Sequence, residues 1–167
     1  MIKKLLLLFL GALLMISCGS SKKIASSQSP KGKNITNKEV TVADKIVWTA
    51  VSYKGVPYKF GGMSKRGMDC SGLIHTSFKQ RNVDLPRTSR EMYTKGYDIP
   101  LKKVKRGDLL FFKTARKRGK VNHVGLVTSV KNGDIHFIHS TSSRGVIVTS
   151  LWQKYWRKAF IKAKRIL

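Results

Sequence analysis

The chain has 167 residues, of which 41% are hydrophobic, so it is long enough for one domain with a buried core. We therefore expect one catalytic or binding unit, not several domains. Lysine and arginine total 34 against 8 acidic residues, and the formal net charge of +26 predicts attraction to a polyanion. Charge alone does not name that polyanion.

The first residues have the pattern of a secretory signal peptide. Lys3 and Lys4 precede an apolar run over residues 5–16, which Ser17 and Cys18 follow. A run of 12 residues is too short to cross the hydrocarbon layer as a mature helix, which takes about 20 residues. We therefore predict that residues 1–17 are a cleaved signal peptide and that the protein is exported.

Cys18 stands at the predicted cleavage point, and the segment around it resembles a bacterial lipoprotein signal. The resemblance implies that Cys18 is acylated, palmitate included, and becomes the N-terminus; the alternative is a non-lipidated signal peptide with an incidental cysteine. Gly19 favours the outer membrane, facing the periplasm, if the cell is Gram-negative. Residues 18–40 are rich in Ser, Lys, Gly and Asn, which predicts a lipidated flexible tether.

The folded domain is predicted over residues 41–167 and begins with helices. Thr41 and Asp44 approximate a capping box for a first helix that ends before Gly55. Thr88 and Glu91 predict another, shorter helix further along the chain. The apolar stripe of the first helix consists of Val42, Ile46, Val47, Ala50 and Val51.

After Gly107 the pattern changes to short β-rich runs, several of them separated by turn signals. Helices first and strands second indicate an α+β domain, in which the helices pack on an antiparallel sheet of about five to six strands. The predicted strands cover residues 109–112, 123–130, 135–140, 146–149 and 160–166.

Cys70 is the candidate nucleophile. Asp69 is a predicted N-cap, so Cys70 lies in the first turn of a helix, where unpaired N–H groups are expected to lower the pKa of a thiol. If Cys18 carries lipid, Cys70 is a lone thiol in an oxidising compartment, which is unusual unless chemistry retains it. A small buried hydrophobic residue is the alternative interpretation.

A thiol nucleophile needs a base and a group that orients the base, and His123 and His139 are the candidates. A two-residue turn at Asn132-Gly133 would place them on opposite faces of their hairpin. A three-residue loop over 131–133, with Gly133 as a bulge, would place them on one face and leave space for the imidazole of His139 opposite Gly125. The sequence permits both loops. We interpret His75 and His136 as non-catalytic.

Six segments in order make residues 42–167 resemble the NlpC family of cell-wall cysteine peptidases, which have a papain-like α+β fold. The resemblance implies Cys70 as nucleophile, His123 as general base and His139 as the residue that orients His123. The segments are YKFGG (58–62), DCSGLI (69–74), LPRTS (85–89), RGDLLFF (106–112), NHVGLV (122–127) and FIHS (137–140).

Further residues are assigned to substrate or oxyanion contacts. The resemblance places the Tyr58 hydroxyl near the thiolate, with a core aromatic ring as the alternative. It also implies that backbone N–H groups at the helix start, including that of Cys70 or Ser71, hold the oxyanion. Arg87 is either a carboxylate contact or a solvated surface charge. We expect no metal and no cofactor, since neither the cysteines nor the histidine spacing forms a ligand set.

The resemblance implies a peptidoglycan endopeptidase that hydrolyses amide bonds in stem peptides or crosslinks through an acyl-enzyme. Two alternatives stay open: a catalytically inactive wall-binding module, and an acyl or amide transferase on the same scaffold. The expected partners are peptidoglycan and, through the lipid anchor, a membrane, with no nucleic acid and a monomeric state. The basic loop 113–120 is expected to hold wall carboxylates or an anionic membrane surface, or to serve solubility alone.

Overall fold

The computed structural model describes residues 39–114 and 121–167. The predictions made for residues 1–17, for Cys18, for most of the tether 18–40 and for all but the first two residues of the basic loop 113–120 lie outside the described residues.

The three predicted helices are confirmed. Helix α1 spans Val42–Val51, α2 spans Cys70–Lys79 and α3 spans Ser89–Met92. Capping boxes at Thr41 and Thr88 start α1 and α3, as expected. Helix α4, Lys154–Ala159, was not predicted, because six basic residues between 154 and 165 hide its two buried positions.

The structure contains a six-stranded antiparallel sheet, which confirms the α+β class. A separate short hairpin, β1 (Met63–Ser64) and β2 (Gly67–Met68), precedes it. The sheet strands are β3 (Tyr97–Ile99), β4 (Leu109–Phe112), β5 (His123–Lys131), β6 (Asp134–Thr141), β7 (Gly145–Ser150) and β8 (Phe160–Arg165). Their order across the sheet is β3-β8-β4-β5-β6-β7. The sequence analysis missed β1, β2 and β3 because these strands are very short.

Both faces of the sheet are covered. Helices α1 and α2 pack on one face, where Ile46, Phe78 and Leu126 are fully buried. Helix α4 contributes Trp156 to a second core on the other face, against Phe112 and Phe137. The apolar stripe predicted for α1 is too wide, because Val42 and Val51 are 47% and 40% exposed at the two ends of the helix.

The hairpin between β5 and β6 decides between the two loops that the sequence permits. Asn132 and Gly133 have φ angles of 49° and 80°, and Lys131 pairs with Asp134, so the turn has two residues, not three. The register then shifts between Val127 and Ser129, because Thr128 is an extra residue in β5. This bulge, and not the turn, brings His123 and His139 to one face of the hairpin.

Gly125 is required for a different reason from the one predicted. A Cβ atom at this position would lie 2.4 Å from Cδ2 of Phe137, so the missing side chain makes room for the Phe137 ring and not for His139. The aromatic ring at 137 in turn packs against His139, with 4.6 Å between the ring centroids.

Candidate active site

The nucleophile candidate lies at a strongly capped helix start. Asp69 accepts hydrogen bonds from the backbone N–H of Gly72 at 2.6 Å and of Gly61 at 2.8 Å, so one carboxylate joins the helix to the preceding glycine turn. Cys70 is the first residue of α2 and is partly buried. The predicted N-cap and the predicted position of Cys70 are both confirmed.

The Arg87 guanidinium forms an ion pair with the Asp69 carboxylate. Its Nη1 and Nη2 atoms donate to the two carboxylate oxygens at 3.0 and 2.8 Å, and Nη1 also donates to the Ser71 hydroxyl at 2.9 Å. Arg87 is therefore a carboxylate contact, and the carboxylate is that of Asp69 in the same chain. A side chain that is 31% exposed and paired in a fork-to-fork geometry is not a solvated surface charge.

The environment of the thiol differs from the expected one. Burial raises the pKa of Cys70, and the nearby Asp69 carboxylate adds to the rise. The backbone N–H groups of Val124, Ser71 and Cys70 point at the sulfur and lower the pKa, but they do not outweigh desolvation. The expectation of a lowered pKa was therefore wrong for the free protein, in which the thiol is the favoured form at neutral pH.

The two histidines form a hydrogen-bonded pair on one face of the sheet. His123 Nε2 lies 2.9 Å from His139 Nδ1, and His139 Nε2 lies 2.9 Å from the Thr149 hydroxyl. His123 is at the first position of β5, and the backbone N–H of the next residue, Val124, contacts the Cys70 sulfur. Since Nε2 of His123 is engaged, Nδ1 is the ring nitrogen that remains for a proton transfer.

Two residues that the sequence analysis missed complete this pair. Thr149 accepts or donates at the far side of His139, and Trp156 stacks on His123 with 5.2 Å between centroids. The same indole contacts His139 edge-on at 4.4 Å. The spacing of Trp156 and Ala159, three residues apart and both buried in α4, was the available signal for a short amphipathic helix.

Burial keeps both imidazoles neutral. It lowers the pKa of His123 from its usual value to about 4. Burial, with the neighbouring His123 and Arg144, also lowers the pKa of His139. The resting site thus holds a neutral thiol and two neutral imidazoles.

This burial predicts acid destabilisation. Unfolded imidazoles bind protons below about pH 6.5, whereas His123 in the folded protein does so near pH 4. The unfolded state therefore binds more protons in this window, and the free energy of unfolding falls as pH falls from about 6.5 to 4, by about 3 kcal/mol for His123 alone. Urea titrations across the window will measure the slope. It should flatten in a His123→Gln/His139→Asn variant and persist in His136→Gln, whose imidazole is half-buried beside Asp134.

Tyr58 lies close enough to Asp69 and Cys70 to be affected by their charges. Its side chain is 37% exposed, and its pKa is raised by burial and then by Cys70, once that thiol is ionised, and by the Asp69 carboxylate. The remaining histidines lie elsewhere: His75 Nδ1 is bound to the Leu85 carbonyl at 2.8 Å, and His136 lies 3.6 Å from Asp134.

The site has the parts that thiol-dependent acyl transfer needs. A cysteine stands at a helix start, its sulfur contacts the backbone N–H of Val124, and the preceding residue, His123, has a buried imidazole that is hydrogen-bonded to His139. Within residues 39–114 and 121–167, no three His, Cys, Asp or Glu side chains are grouped to hold a metal ion. In the same ranges no helix has the length and apolar character needed to span a membrane.

Comparison with known proteins identifies the class more closely. The model of the NlpC/P60 family matches residues 55–165, and the chain belongs to this family. It is 33% identical over 161 residues to the probable endopeptidase NlpC of Escherichia coli strain K12, covering 96% of this chain and 97% of that protein. It is 31% identical over 150 residues to the murein DD-endopeptidase MepS/murein LD-carboxypeptidase of the same strain, covering 89% and 76%.

Solved structures of the family share the fold. An NlpC/P60 family protein from Bacillus cereus matches with a TM-score of 0.67 and 30% identity, over 77% of this chain and 41% of that one. A lipoprotein-like NLP/P60 protein from Staphylococcus aureus matches with a TM-score of 0.66 and 30% identity, over 79% and 45%. The chain spans less than half the length of either structure.

Proposed function

We propose that this protein is a peptidoglycan endopeptidase that hydrolyses an amide bond of the wall's stem peptides or crosslinks through an acyl-enzyme on Cys70. The observation that carries the proposal is the hydrogen-bonded string from His123 to His139 to Thr149, which begins next to a thiol at a helix start. The relatives named endopeptidase and murein DD-endopeptidase support the substrate class.

The hydrogen bonds from His123 to His139 to Thr149 have one donor–acceptor direction in which His123 can act as a base. If His123 Nδ1 takes the thiol proton, its Nε2–H donates to His139 Nδ1, and His139 Nε2–H donates to the Thr149 hydroxyl. The imidazolium that forms keeps the same donor to His139. His139 therefore holds His123 in the tautomer with a free Nδ1 lone pair and stabilises the charge that develops.

The chemistry is two acyl transfers. The Cys70 sulfur attacks the amide carbonyl as its proton moves to His123, and His123 then returns that proton to the leaving amine. Water, deprotonated by His123, attacks the thioester carbonyl, the C–S bond breaks to release the acid, and His123 returns the proton to the Cys70 thiolate. Because burial raises the pKa of the thiol and lowers that of His123, the proton moves during attack and not in the free protein.

The developing oxyanion needs donors in a partly dry site. We assign the backbone N–H of Cys70 or Ser71 to this role, where an oxyanion contact typically contributes about 3–4 kcal/mol. The Tyr58 phenol, which has Cys70 within electrostatic range, is a further donor. Arg87 acts through Asp69 and Ser71, which it already contacts, and not on substrate.

Export and anchoring form part of the proposal. Residues 1–17 serve as signal peptide, Cys18 carries the lipid, and residues 18–40 tether a monomeric catalytic domain near the wall. In a Gram-negative cell the protein is anchored to the outer membrane and faces the periplasm. A net charge of +26 favours a wall or membrane surface that carries carboxylates or phosphates.

Digestion of purified peptidoglycan tests the activity. A soluble domain from Asn37 onward should release new stem-peptide fragments, resolved by mass, and Cys70→Ala should release none. His136→Gln is the control for a histidine outside the site. New covalent adducts instead of free termini would favour the transferase. Binding of wall material without release by either version would favour the wall-binding module.

A further inference from the structure

Strand β5 contains one residue more than its partner between the turn and the site. Lys131 pairs with Asp134 and Ser129 with His136, but Val127 pairs with Phe137, which leaves Thr128 as the bulged residue. Without the bulge, the register of the turn would set Leu126 opposite His139. His123 and His139 would then point to opposite faces of the hairpin.

The polar groups of the bulged residue are bound by specific partners. The Thr128 hydroxyl donates to the His136 carbonyl at 3.1 Å, and the Thr128 carbonyl accepts a hydrogen bond from Nη1 of Arg106. The same guanidinium donates from Nε to Asp44 at 2.8 Å. Asp44 is also the capping-box residue of α1, so one arginine joins the bulge to the first turn of that helix.

The backbone next to Arg106 fixes the neighbouring residue. Gly107 donates to the Val127 carbonyl at 3.0 Å, and Val127 donates to the Asp108 carbonyl at 2.9 Å. Gly107 has a φ of 93°, and a Cβ there would lie 2.7 Å from that of Ala43, so only glycine lets the chain pass against α1. Residues 106–108 thus hold both the bulge and the residue before it.

We propose that Arg106 is a positioning residue, which holds the bulge at Thr128 and thereby keeps His123 aligned with His139. The inference rests on the proposed function for its catalytic consequence, but the alignment itself can be measured without substrate. Arginine suits the task because its fork reaches Asp44 and the Thr128 carbonyl together, whereas the single ammonium of lysine cannot reproduce both directions.

The first experiment compares Arg106→Met with Arg81→Met. Arg81 also binds α1, through the Thr49 hydroxyl at 2.9 Å, and its side chain donates no hydrogen bond to β5 within the described residues, so it is the matched control. In the full chain carrying Cys18→Ser, held in non-ionic detergent, ¹⁵N NMR of the histidine rings reports the His123–His139 hydrogen bond. Arg106→Met should lose or weaken that signature and reduce peptidoglycan hydrolysis about 10–100-fold, while Arg81→Met retains both.

Deletion of Thr128 tests whether Arg106 acts through the bulge. Removing Thr128 leaves the pairs of Ser129 with His136 and of Val127 with Phe137 in one regular ladder, so Arg106 loses its target carbonyl and its role. In that background Arg106→Met should change neither the ring signals nor the hydrolysis rate. An equal loss in both backgrounds would overturn the proposal.

If the deletion variant does not fold, the NMR comparison of Arg106→Met with Arg81→Met still tests the positioning role. Unchanged ring signals in Arg106→Met contradict the proposal by themselves. Altered ring signals in a protein whose wild type releases no wall fragments would instead contradict the proposed function and leave the positioning role supported.

Discussion

Replacement of His139 by alanine is expected to lower the rate of wall hydrolysis by about 10³–10⁴-fold, the order seen when the orienting member of a triad is removed. The reason is the 2.9 Å contact between His123 Nε2 and His139 Nδ1. Without this acceptor the imidazole of His123 is free to adopt the tautomer that protonates Nδ1, and it loses the partner of its imidazolium form. His123→Ala removes the base itself and should cost about 10⁵–10⁶-fold.

A graded series separates orientation from packing. His139→Asn retains an acceptor near the position of Nδ1, so its loss should be at least tenfold smaller than that of His139→Ala. His136→Ala, three residues earlier on the same strand, is the control, because its side chain is half-buried and lies 3.6 Å from Asp134. The rate is measured as released fragments at saturating peptidoglycan, with folding checked by urea titration. A His139→Ala rate equal to that of His136→Ala would refute the orienting role.

The helices that carry the site were predictable from sequence because their signals are local. A cap residue and an apolar stripe specify where α1 and α2 begin, with an acidic residue three positions after the cap in α1, and Asp69 therefore placed Cys70 correctly. The same is true of strand β4, whose four apolar residues are all fully buried. Local pattern and tertiary position agree at these elements.

The bulge could not be predicted, because it depends on a contact between distant parts of the chain. Asn132-Gly133 specifies a two-residue turn, and that turn alone implies the wrong face for His139. The register is corrected at Thr128, whose carbonyl is bound by Arg106, 22 residues earlier. Helix α4 was missed because six basic residues between 154 and 165 hide its two buried positions, one of which, Trp156, packs against both imidazoles.

The pKa of the Cys70 thiol also depends on tertiary packing, which the sequence analysis could not predict. A helix N-terminus favours a thiolate, and the N–H groups do point at the Cys70 sulfur. The sequence did not reveal how far tertiary packing, including the start of β5 at Val124, would take the thiol out of water. Desolvation and the Asp69 carboxylate outweigh the helix start, so the base must act during the attack.

The stability of this helix start leads to the second large effect. Arg87→Met should lower the free energy of unfolding by about 2–3 kcal/mol, because it leaves the buried Asp69 carboxylate without its bidentate partner. The value lies below the ~3–5 kcal/mol of a fully buried pair since the Arg87 side chain is 31% exposed. Hydrolysis should fall as well, because Asp69 also fixes the turn at Gly61 and the first turn that carries Cys70.

A double-mutant cycle identifies the uncompensated charge as the cause. Asn caps helices about as well as Asp, so Asp69→Asn keeps the N-cap while it removes the charge. The double variant Asp69→Asn/Arg87→Met should therefore recover about 1–2 kcal/mol relative to the sum of the single changes. Arg90→Met, an exposed arginine three residues further on, is the control and should stay within about 0.5 kcal/mol of wild type. Strictly additive single changes would mean that Arg87 contributes packing alone, and that the position of Cys70 does not depend on the ion pair.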